Sequence, residues 1–158
     1  MPVTKGKWQY LKTFGSVPFP RRNHGIVVVA QKAYTFGGEY QNDIPIDNVI
    51  HCLNLQTGEW TRLDGKGDPP IARSGLAMTT IDHNIYMFGG QTGKGSKDDG
   101  LLDVYCFNTL DKRWSVVSVE GVPPEPRIHH SMVNVNGQLY LEIYFFSQLI
   151  LLSIVLFF

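Results

Sequence analysis

A six-residue pattern occurs twice in this chain and limits what it can fold into. The first copy is Ala33–Gly38 (AYTFGG) and the second is Ile85–Gly90 (IYMFGG), with the glycine pairs 52 residues apart. Each copy is an aromatic and β-branched run that ends at two glycines. Such a run predicts a short buried strand, followed by backbone with positive φ or by a close approach of another segment. Two copies at one period indicate an internal repeat.

Other residues recur in the same register. One tryptophan and one arginine recur thirteen residues apart: Trp8 with Arg21, Trp60 with Arg73, and Trp114 with Arg127. Prolines crowd the approach to each arginine, and differences in length fall between these landmarks. This is how repeats of one supersecondary unit diverge, because insertions are tolerated in loops.

A period near 50 residues with Tyr-x-Phe-Gly-Gly and a late tryptophan resembles the kelch repeat, in which each repeat forms one four-stranded blade of a β-propeller. The resemblance covers roughly residues 8–141 and implies an all-β fold of about two and a half blades, an incomplete propeller. The domains are then 1–16 (a closing strand of an incomplete blade), 17–64 (repeat one), 65–120 (repeat two), 121–141 (partial repeat three) and 142–158 (a hydrophobic tail).

The repeated glycines and tryptophans are predicted to be structural, with the tryptophans packing between blades: Gly37, Gly38, Gly89, Gly90, Trp8, Trp60 and Trp114. The apolar run Ile26–Ala30 predicts a first strand buried on both faces. Trp8–Leu11 is predicted to be the outermost strand of a blade whose earlier strands are missing.

Composition excludes several functions. Fourteen basic and fourteen acidic residues give no net charge, so no nucleic-acid surface is expected. The two cysteines, Cys52 and Cys106, occupy equivalent positions in neighbouring repeats, which predicts two free thiols and a reducing compartment. The first eleven residues have no apolar run, so no secretory signal is expected. Together these features predict a cytoplasmic protein.

The tail, residues 143–158, is apolar except for Ser147, Gln148 and Ser153. It has three interpretations: an incomplete or aberrant end that begins inside the second strand of the third blade, a tail anchor in a membrane, or β-structure packed on the blades. If the protein associates with a membrane, we expect it to do so only through these residues. A full crossing takes about twenty apolar residues.

Three carboxylates recur every four residues, at Glu39, Asp43 and Asp47. They resemble the Glu-x-x-x-Asp-x-x-x-His iron motif of kelch-type plant specifier proteins, with Asp47 in the place of the histidine. Three carboxylates without an imidazole favour hard cations over Fe(II), and a solvated acidic loop is the simpler interpretation. We therefore assign no catalytic residue, metal or cofactor. A kelch-type metal-dependent enzyme, either a specifier-like lyase or an oxidase, is the alternative function.

The kelch resemblance implies a non-catalytic protein-interaction module, either a scaffold or a substrate receptor of the ubiquitin-ligase type. In an antiparallel meander, the loop entering the first strand and the loop leaving the second lie at the same end of the blade. Those loops are the long ones here, and recognition tends to lie on such loops. The candidate interaction face comprises Arg21, Arg22, His24, Glu39, Asp43, Arg73, Gln91, Lys94, Arg127 and His129. Its arginines suit acidic protein segments, or else they bridge neighbouring blades.

Overall fold

The computed structural model describes residues 5–41, 44–93, 100–142 and 154–156, with side chains described through residue 141. All the regular secondary structure in these ranges is β-strand. The all-β prediction is confirmed. No helix in these ranges is long and apolar enough to cross a membrane. Two candidate face residues, Asp43 and Lys94, lie outside the described residues.

Repeat one forms a five-stranded sheet. Its strands are β1 (Phe14–Gly15), β2 (Gly25–Val29), β3 (Lys32–Phe36), β4 (Ile50–Asn54) and β5 (Glu59–Leu63). The spatial order is β1-β5-β4-β3-β2, in which β2 to β5 form an antiparallel meander and β1 adds to β5 in parallel. The four meander strands are the predicted blade, and we call this sheet blade one.

Repeat two forms the same sheet again, which we call blade two. Its strands are β6 (Lys66–Gly67), β7 (Ala77–Ile81), β8 (Asn84–Phe88), β9 (Val104–Asn108) and β10 (Arg113–Val117). The order is β6-β10-β9-β8-β7, with β6 parallel to β10. The identical order shows that the two repeats are the same structural unit.

Blade three has three described strands: β11 (Ser131–Val135), β12 (Gln138–Glu142) and β13 (Ile154–Leu156). Both pairings are antiparallel. The strand β13 comes from the apolar tail and occupies the position that β4 has in blade one. For residues 154–156 this agrees with the interpretation of the tail as β-structure on the blades. The rest of the tail lies outside the described residues.

The glycine pairs have both features predicted for them, positive φ and the close approach of another segment. Gly37 and Gly38 have φ of 69° and 93°, a region that side chains other than glycine rarely adopt. A Cβ on Gly37 would also lie 2.4 Å from the carbonyl oxygen of Arg73 in blade two. Gly89 repeats the arrangement against the Arg127 carbonyl oxygen, at 2.8 Å. The pairs therefore mark where one blade meets the next.

The hydrophobic cores lie between blades. At the seam of blades one and two, Trp114 packs its ring against Phe36 and Phe107, with centroids 5.3 and 4.8 Å apart. This confirms inter-blade packing for Trp114, and Trp60 is half-buried. For Trp8 no such packing is found within the described residues: its side chain is fully exposed, and residues 8–11, predicted to belong to a blade whose other strands are missing, form no strand there. The described residues supply no sheet edge beside that segment.

The first strand of blade one is not buried on both faces, which corrects a second prediction. Ile26 and Val28 are exposed, whereas Val29 lies in the core shared with blade two. Within the described residues β2 packs against β7 on one side only. Its apolar run therefore has one covered face and one uncovered face.

Candidate functional site

The long loops meet at one end of each blade, as expected. In blade one, Arg22 and Glu39 exchange two backbone hydrogen bonds of 2.9 Å between the loop entering β2 and the loop leaving β3. Ser74 and Gln91 make the same exchange in blade two, also at 2.9 Å. We call this end the long-loop face. It comprises the described residues within 17–24, 37–49, 64–76, 89–103 and 118–130.

Successive peptide groups connect this face across all three blades. The Gly75 N–H donates to the Asn23 carbonyl at 2.8 Å, and the His129 N–H donates to the Gly75 carbonyl at 2.8 Å. The entering loops of the three blades are therefore direct neighbours, and a ligand on this face would contact more than one blade.

Two of the three repeat arginines are internal. The Arg21 side chain, 4% exposed, donates to the Gly37 carbonyl at 2.9 Å and to both oxygens of Asp47, at 2.9 and 3.3 Å. The fully buried Arg73 donates to the Gly89 carbonyl at 3.2 Å and to both oxygens of Asp103.

Each of these guanidinium groups ties together the two long loops of its own blade. The expectation that the arginine side chains bridge neighbouring blades is therefore wrong for Arg21 and Arg73. The backbone makes that link instead, because the Gly38 N–H donates to the Arg73 carbonyl at 2.9 Å. Since their donors are occupied by Asp47 and Asp103, neither guanidinium is presented to a ligand.

Arg127 differs from the other two. Its Nε donates to the Glu125 carbonyl at 2.9 Å, but its buried Nη1 has no hydrogen-bond partner among the described residues. Burial lowers the pKa of this guanidinium, and the Glu125 carboxylate offsets that only in part. Arg127 is the repeat arginine that, within the described part of the chain, has no carboxylate at salt-bridge distance, although the Glu125 carboxylate is near enough to act on its pKa.

Glu39 lies at the centre of a polar cluster that joins blades one and two. Its buried carboxylate accepts hydrogen bonds from Arg22 Nε at 3.0 Å, Asn23 Nδ2 at 2.7 Å and Ser74 Oγ at 2.9 Å. Burial by itself raises the pKa of Glu39, but hydrogen bonds from Ser74, Arg22 and Asn23 outweigh it and leave the pKa below its usual value.

The interpretation of these carboxylates as a solvated acidic loop is thus wrong for both members that the structure describes. The Asp47 carboxylate is half-buried and paired with Arg21, and this pairing lowers its pKa against the effect of burial. The oxygens that would ligate a metal already accept hydrogen bonds from protein donors. Across the described residues, no three His, Cys, Asp or Glu side chains are grouped to hold an ion.

The Glu39 cluster predicts acid sensitivity. Because the folded-state pKa is lowered, ionised Glu39 contributes stability above its unfolded-state pKa of about 4.3, and this is lost as the pH falls through the folded-state value. We expect Glu39→Gln to be less stable than wild type near neutral pH and to lose less of its stability on acidification below about pH 4.5. Asp47 leaves a residual slope in both proteins.

Urea unfolding at a series of pH values measures this difference. Glu59→Gln, at an exposed glutamate of β5, is the matched control and should follow the wild-type curve. A Glu39→Gln curve parallel to wild type across the acid range contradicts the assignment.

The other candidate residues are arranged around this framework. Arg22, His24 and His129 are exposed, and Gln91 is half-buried. The Arg22 side chain remains 61% exposed although it pairs with Glu39. These four residues are among the polar groups that the described part of the face offers to solvent, which also include Asn23, Asp68 and Glu125.

An exposed aromatic pair was missed by the sequence reasoning. Phe19 and Tyr40 meet edge to face with ring centroids 5.0 Å apart, and both are more than half exposed. Phe19 lies between two prolines, and Tyr40 follows the first glycine pair with one residue between. No pattern indicated that they meet, although an aromatic residue in a proline-rich loop was a usable signal.

Antiparallel four-stranded blades, joined where glycine pairs meet the following loop, define part of a kelch-type β-propeller. The chain belongs to the kelch-repeat family. The model of the KLHDC2/KLHL20/DRC7 Kelch-repeats domain matches residues 23–143.

Three relatives illustrate the range of proteins that this chain is similar to. It is 32% identical over 140 residues to an N-(sulfonatooxy)prop-2-enimidothioate sulfolyase of Thlaspi arvense, covering 86% of this chain and 39% of the relative. Kelch domain-containing protein 3 of Bos taurus is 31% identical over 144 residues, 88% of this chain and 38% of the relative. Tip elongation aberrant protein 1 of Schizosaccharomyces pombe is 32% identical over 138 residues, 83% of this chain and 12% of the relative. The chain thus spans less than two fifths of each.

Proposed function

We propose that this chain is a non-catalytic protein-interaction module, of the scaffold or substrate-receptor type, that binds an acidic protein segment on its long-loop face. The observation that carries the proposal is Arg127, whose buried Nη1 has no hydrogen-bond partner in the described part of the chain. Its repeat equivalents Arg21 and Arg73 each hold a carboxylate. A carboxylate supplied by another protein would give Arg127 the same partner.

The environment of Arg127 favours such a ligand. Partial burial strengthens charge pairing relative to water, and a planar guanidinium takes a carboxylate in a two-point geometry. Binding also relieves the cost of a buried donor without a partner, which is about 1–3 kcal/mol. The chemistry selected here is therefore an Asp or Glu side chain or another carboxylate.

The surroundings supply contact area. The exposed His129 follows Arg127 closely, and the backbone bonds through Gly75 bring blade one alongside. There the exposed Arg22 and the Phe19–Tyr40 pair provide the residue types that dominate binding energy at protein interfaces. An acidic segment that also carries an aromatic or apolar side chain would fit this composition.

One relative's name specifies a sulfolyase, so we considered an enzyme. The two described carboxylates of the specifier-like motif, Glu39 and Asp47, accept hydrogen bonds from arginine and other protein donors. We therefore propose no reaction for this chain.

The thiols fit a cytoplasmic location. Cys52 and Cys106 are unpaired, and burial raises the pKa of both, which keeps them protonated and unreactive. Two such thiols suit a reducing compartment.

The test uses fluorescence anisotropy with a labelled peptide of alternating glutamate and tyrosine, compared with the same peptide carrying glutamine for glutamate. We expect the acidic peptide to bind more tightly, and Arg127→Ala to weaken it at least about tenfold, the effect of losing a charge-assisted pair. Arg127→Lys should fall between, because it keeps the charge and loses the planar geometry.

The matched control is His83→Ala, an exposed residue in the short turn between β7 and β8 at the opposite end of blade two. It should bind like wild type. If Arg127→Ala binds normally, or His83→Ala loses binding while both remain folded, the site is not on the long-loop face.

A further inference from the structure

We propose that a cleft between blades one and two, at the end opposite the long-loop face, binds a small phosphate ester whose body carries hydroxyl groups. Lys32 and Lys112 would hold the phosphate, and Glu59 would accept hydrogen bonds from the hydroxyl groups. Both walls of the cleft are among the described residues. The site is separate from the surface proposed above for an acidic protein segment.

The cleft is the unfilled half of the seam between blades one and two. Alternate side chains of β3 share one face of the sheet, so Lys32 and Phe36 lie on the same side. Trp114 packs on Phe36 near the long-loop end. Towards the short turns a cleft of about 270 Å³ remains, between β3, β4 and β5 of blade one and the turn 109–112 of blade two. This volume suits a small metabolite, since pockets for larger ligands start near 300 Å³.

Two positive charges converge on this cleft. Lys32 lines it from blade one and Lys112 from blade two. Burial raises the pKa of the Cys52 thiol on the cleft wall, and both ammonium groups are near enough to oppose that rise. Among the described residues, neither lysine is within salt-bridge distance of a carboxylate. An anion in the cleft would therefore meet two cations that the described part of the chain leaves unpaired.

Lys112 occupies a backbone position that favours glycine. Its φ is 57°, in the left-handed region, and the residue at the same repeat position in blade one is Gly58, with φ of 78°. Lysine rarely adopts this conformation, because its Cβ crowds the following carbonyl oxygen. A residue kept in an unfavourable conformation points to a function for its side chain. Here the side chain supplies one of the two charges of the cleft.

The balance of charge in the cleft selects a phosphate. Buried Tyr34 lines it as an uncharged hydroxyl, since burial raises the pKa of Tyr34 to about 12. Glu59 is the single carboxylate among the lining residues, so the cleft keeps an excess of one positive charge. Two compact ammonium groups suit the spread charge of a phosphate, whereas a planar carboxylate is matched better by arginine.

The other polar walls select the body of the ligand. The Glu59 carboxylate accepts hydrogen bonds only, so it favours hydroxyl groups and disfavours a second anion. The Asn54 Oδ1 already accepts the N–H groups of Gln56 and Thr57, at 2.9 and 3.2 Å, which leaves its Nδ2 as a donor. Thr61 adds a hydroxyl that can donate or accept. Donors and acceptors side by side are what a phosphate ester of a sugar or another polyol requires.

Isothermal titration calorimetry of the full chain tests the proposal with three probes: glucose 6-phosphate, inorganic phosphate and glucose. We expect glucose 6-phosphate to bind at least about tenfold more tightly than inorganic phosphate, and glucose to show no binding. Lys32→Gln and Lys112→Gly should each weaken glucose 6-phosphate at least about tenfold, the effect of losing one charge-assisted contact. Lys112→Gly should fold at least as stably as wild type, since glycine adopts positive φ freely.

Arg62→Gln is the matched control. Arg62 is 62% exposed and lies on the opposite face of β5 from Thr61, so the variant removes the same charge outside the cleft and should bind like wild type. Glu59→Ala should weaken glucose 6-phosphate but not inorganic phosphate.

The proposal is overturned if wild type binds no phosphate probe, or if either lysine variant is folded and binds like wild type. It is also overturned if Arg62→Gln loses as much affinity as the lysine variants, because binding then follows net charge alone. Equal affinity of wild type for glucose 6-phosphate and inorganic phosphate contradicts a site for the hydroxylated body.

Discussion

Arg73→Ala should lower the free energy of unfolding by about 3–5 kcal/mol, the cost of removing one partner of a buried ion pair. The Arg73 side chain is completely buried, and its guanidinium donates to both oxygens of Asp103 and to the Gly89 carbonyl. It also lies 5.3 Å from the centre of the Tyr105 ring. Without it, Asp103 loses its counter-charge and the two long loops of blade two lose the side chain that joins them.

Urea unfolding at neutral pH measures this loss. Arg62→Ala is the matched control, because Arg62 is 62% exposed and its nearest carboxylate oxygen, on Asp64, is 3.9 Å away. It should change stability by no more than about 0.5 kcal/mol. Arg127→Ala should also cost much less than Arg73→Ala, since Arg127 has no described carboxylate partner to leave behind. Equal losses for Arg73→Ala and Arg62→Ala would contradict a structural role for the buried pair.

Trp114→Ala should cost about as much, roughly 3–5 kcal/mol, because it empties the centre of the seam between blades one and two. Its ring is nearly completely buried and contacts Phe36 of one blade and Phe107 of the other. The loss combines the transfer of a large ring to water with the cavity that remains. Trp114→Phe should recover part of it, since a smaller ring still reaches the same neighbours.

The repeat provides its own control for this prediction. Trp8 occupies the equivalent sequence position but is fully exposed, so Trp8→Ala should leave the stability of the single chain nearly unchanged. The comparison is made at a protein concentration where both variants are monomeric. If Trp8→Ala and Trp114→Ala destabilise the monomer equally, the assignment of Trp114 to an inter-blade core is wrong.

The blades could be predicted from the sequence because the glycine pairs, tryptophans and arginines recur at nearly the same spacing in successive repeats. The predicted and observed strands of the meanders differ by at most two residues at their ends, as for 33–36 against Lys32–Phe36, whereas the two-residue strands β1 and β6 were not predicted. The role of the glycine pairs could also be predicted, since two glycines directly after an aromatic strand indicate positive φ or the close approach of another segment. A pattern that recurs with the same spacing constrains local structure well.

The side-chain partners could not be predicted in the same way. Arg21 finds its carboxylate 26 residues later at Asp47, whereas Arg73 finds its own 30 residues later at Asp103. The difference comes from loop length, so no fixed spacing identifies the pair. Glu39 was misread for a related reason: its partner Ser74 lies in the next blade, and burial at a seam depends on two repeats at once.

Exposure at the two ends was misjudged because it depends on neighbours that a repeat pattern does not contain. Ile26 and Val28 have the composition of a strand covered on both sides, and Trp8 has the position of a packed tryptophan. Their exposure reflects the absence of a further blade beside them within the described residues.

The hydrogen bonds between blades have a consequence for how such a protein changes over evolutionary time. Four of them join backbone atoms only, from Gly38 to Arg73, Gly90 to Arg127, Gly75 to Asn23 and His129 to Gly75. Because these bonds use backbone atoms, they do not depend on the identity of the side chains. The contact between blades therefore constrains the sequence mainly at the positions where only glycine avoids a steric clash. A gene segment that encodes one blade can therefore be duplicated, and the new blade can pack on its neighbour through the same backbone hydrogen bonds. The loops of a blade can likewise change in length or in charge without loss of these bonds.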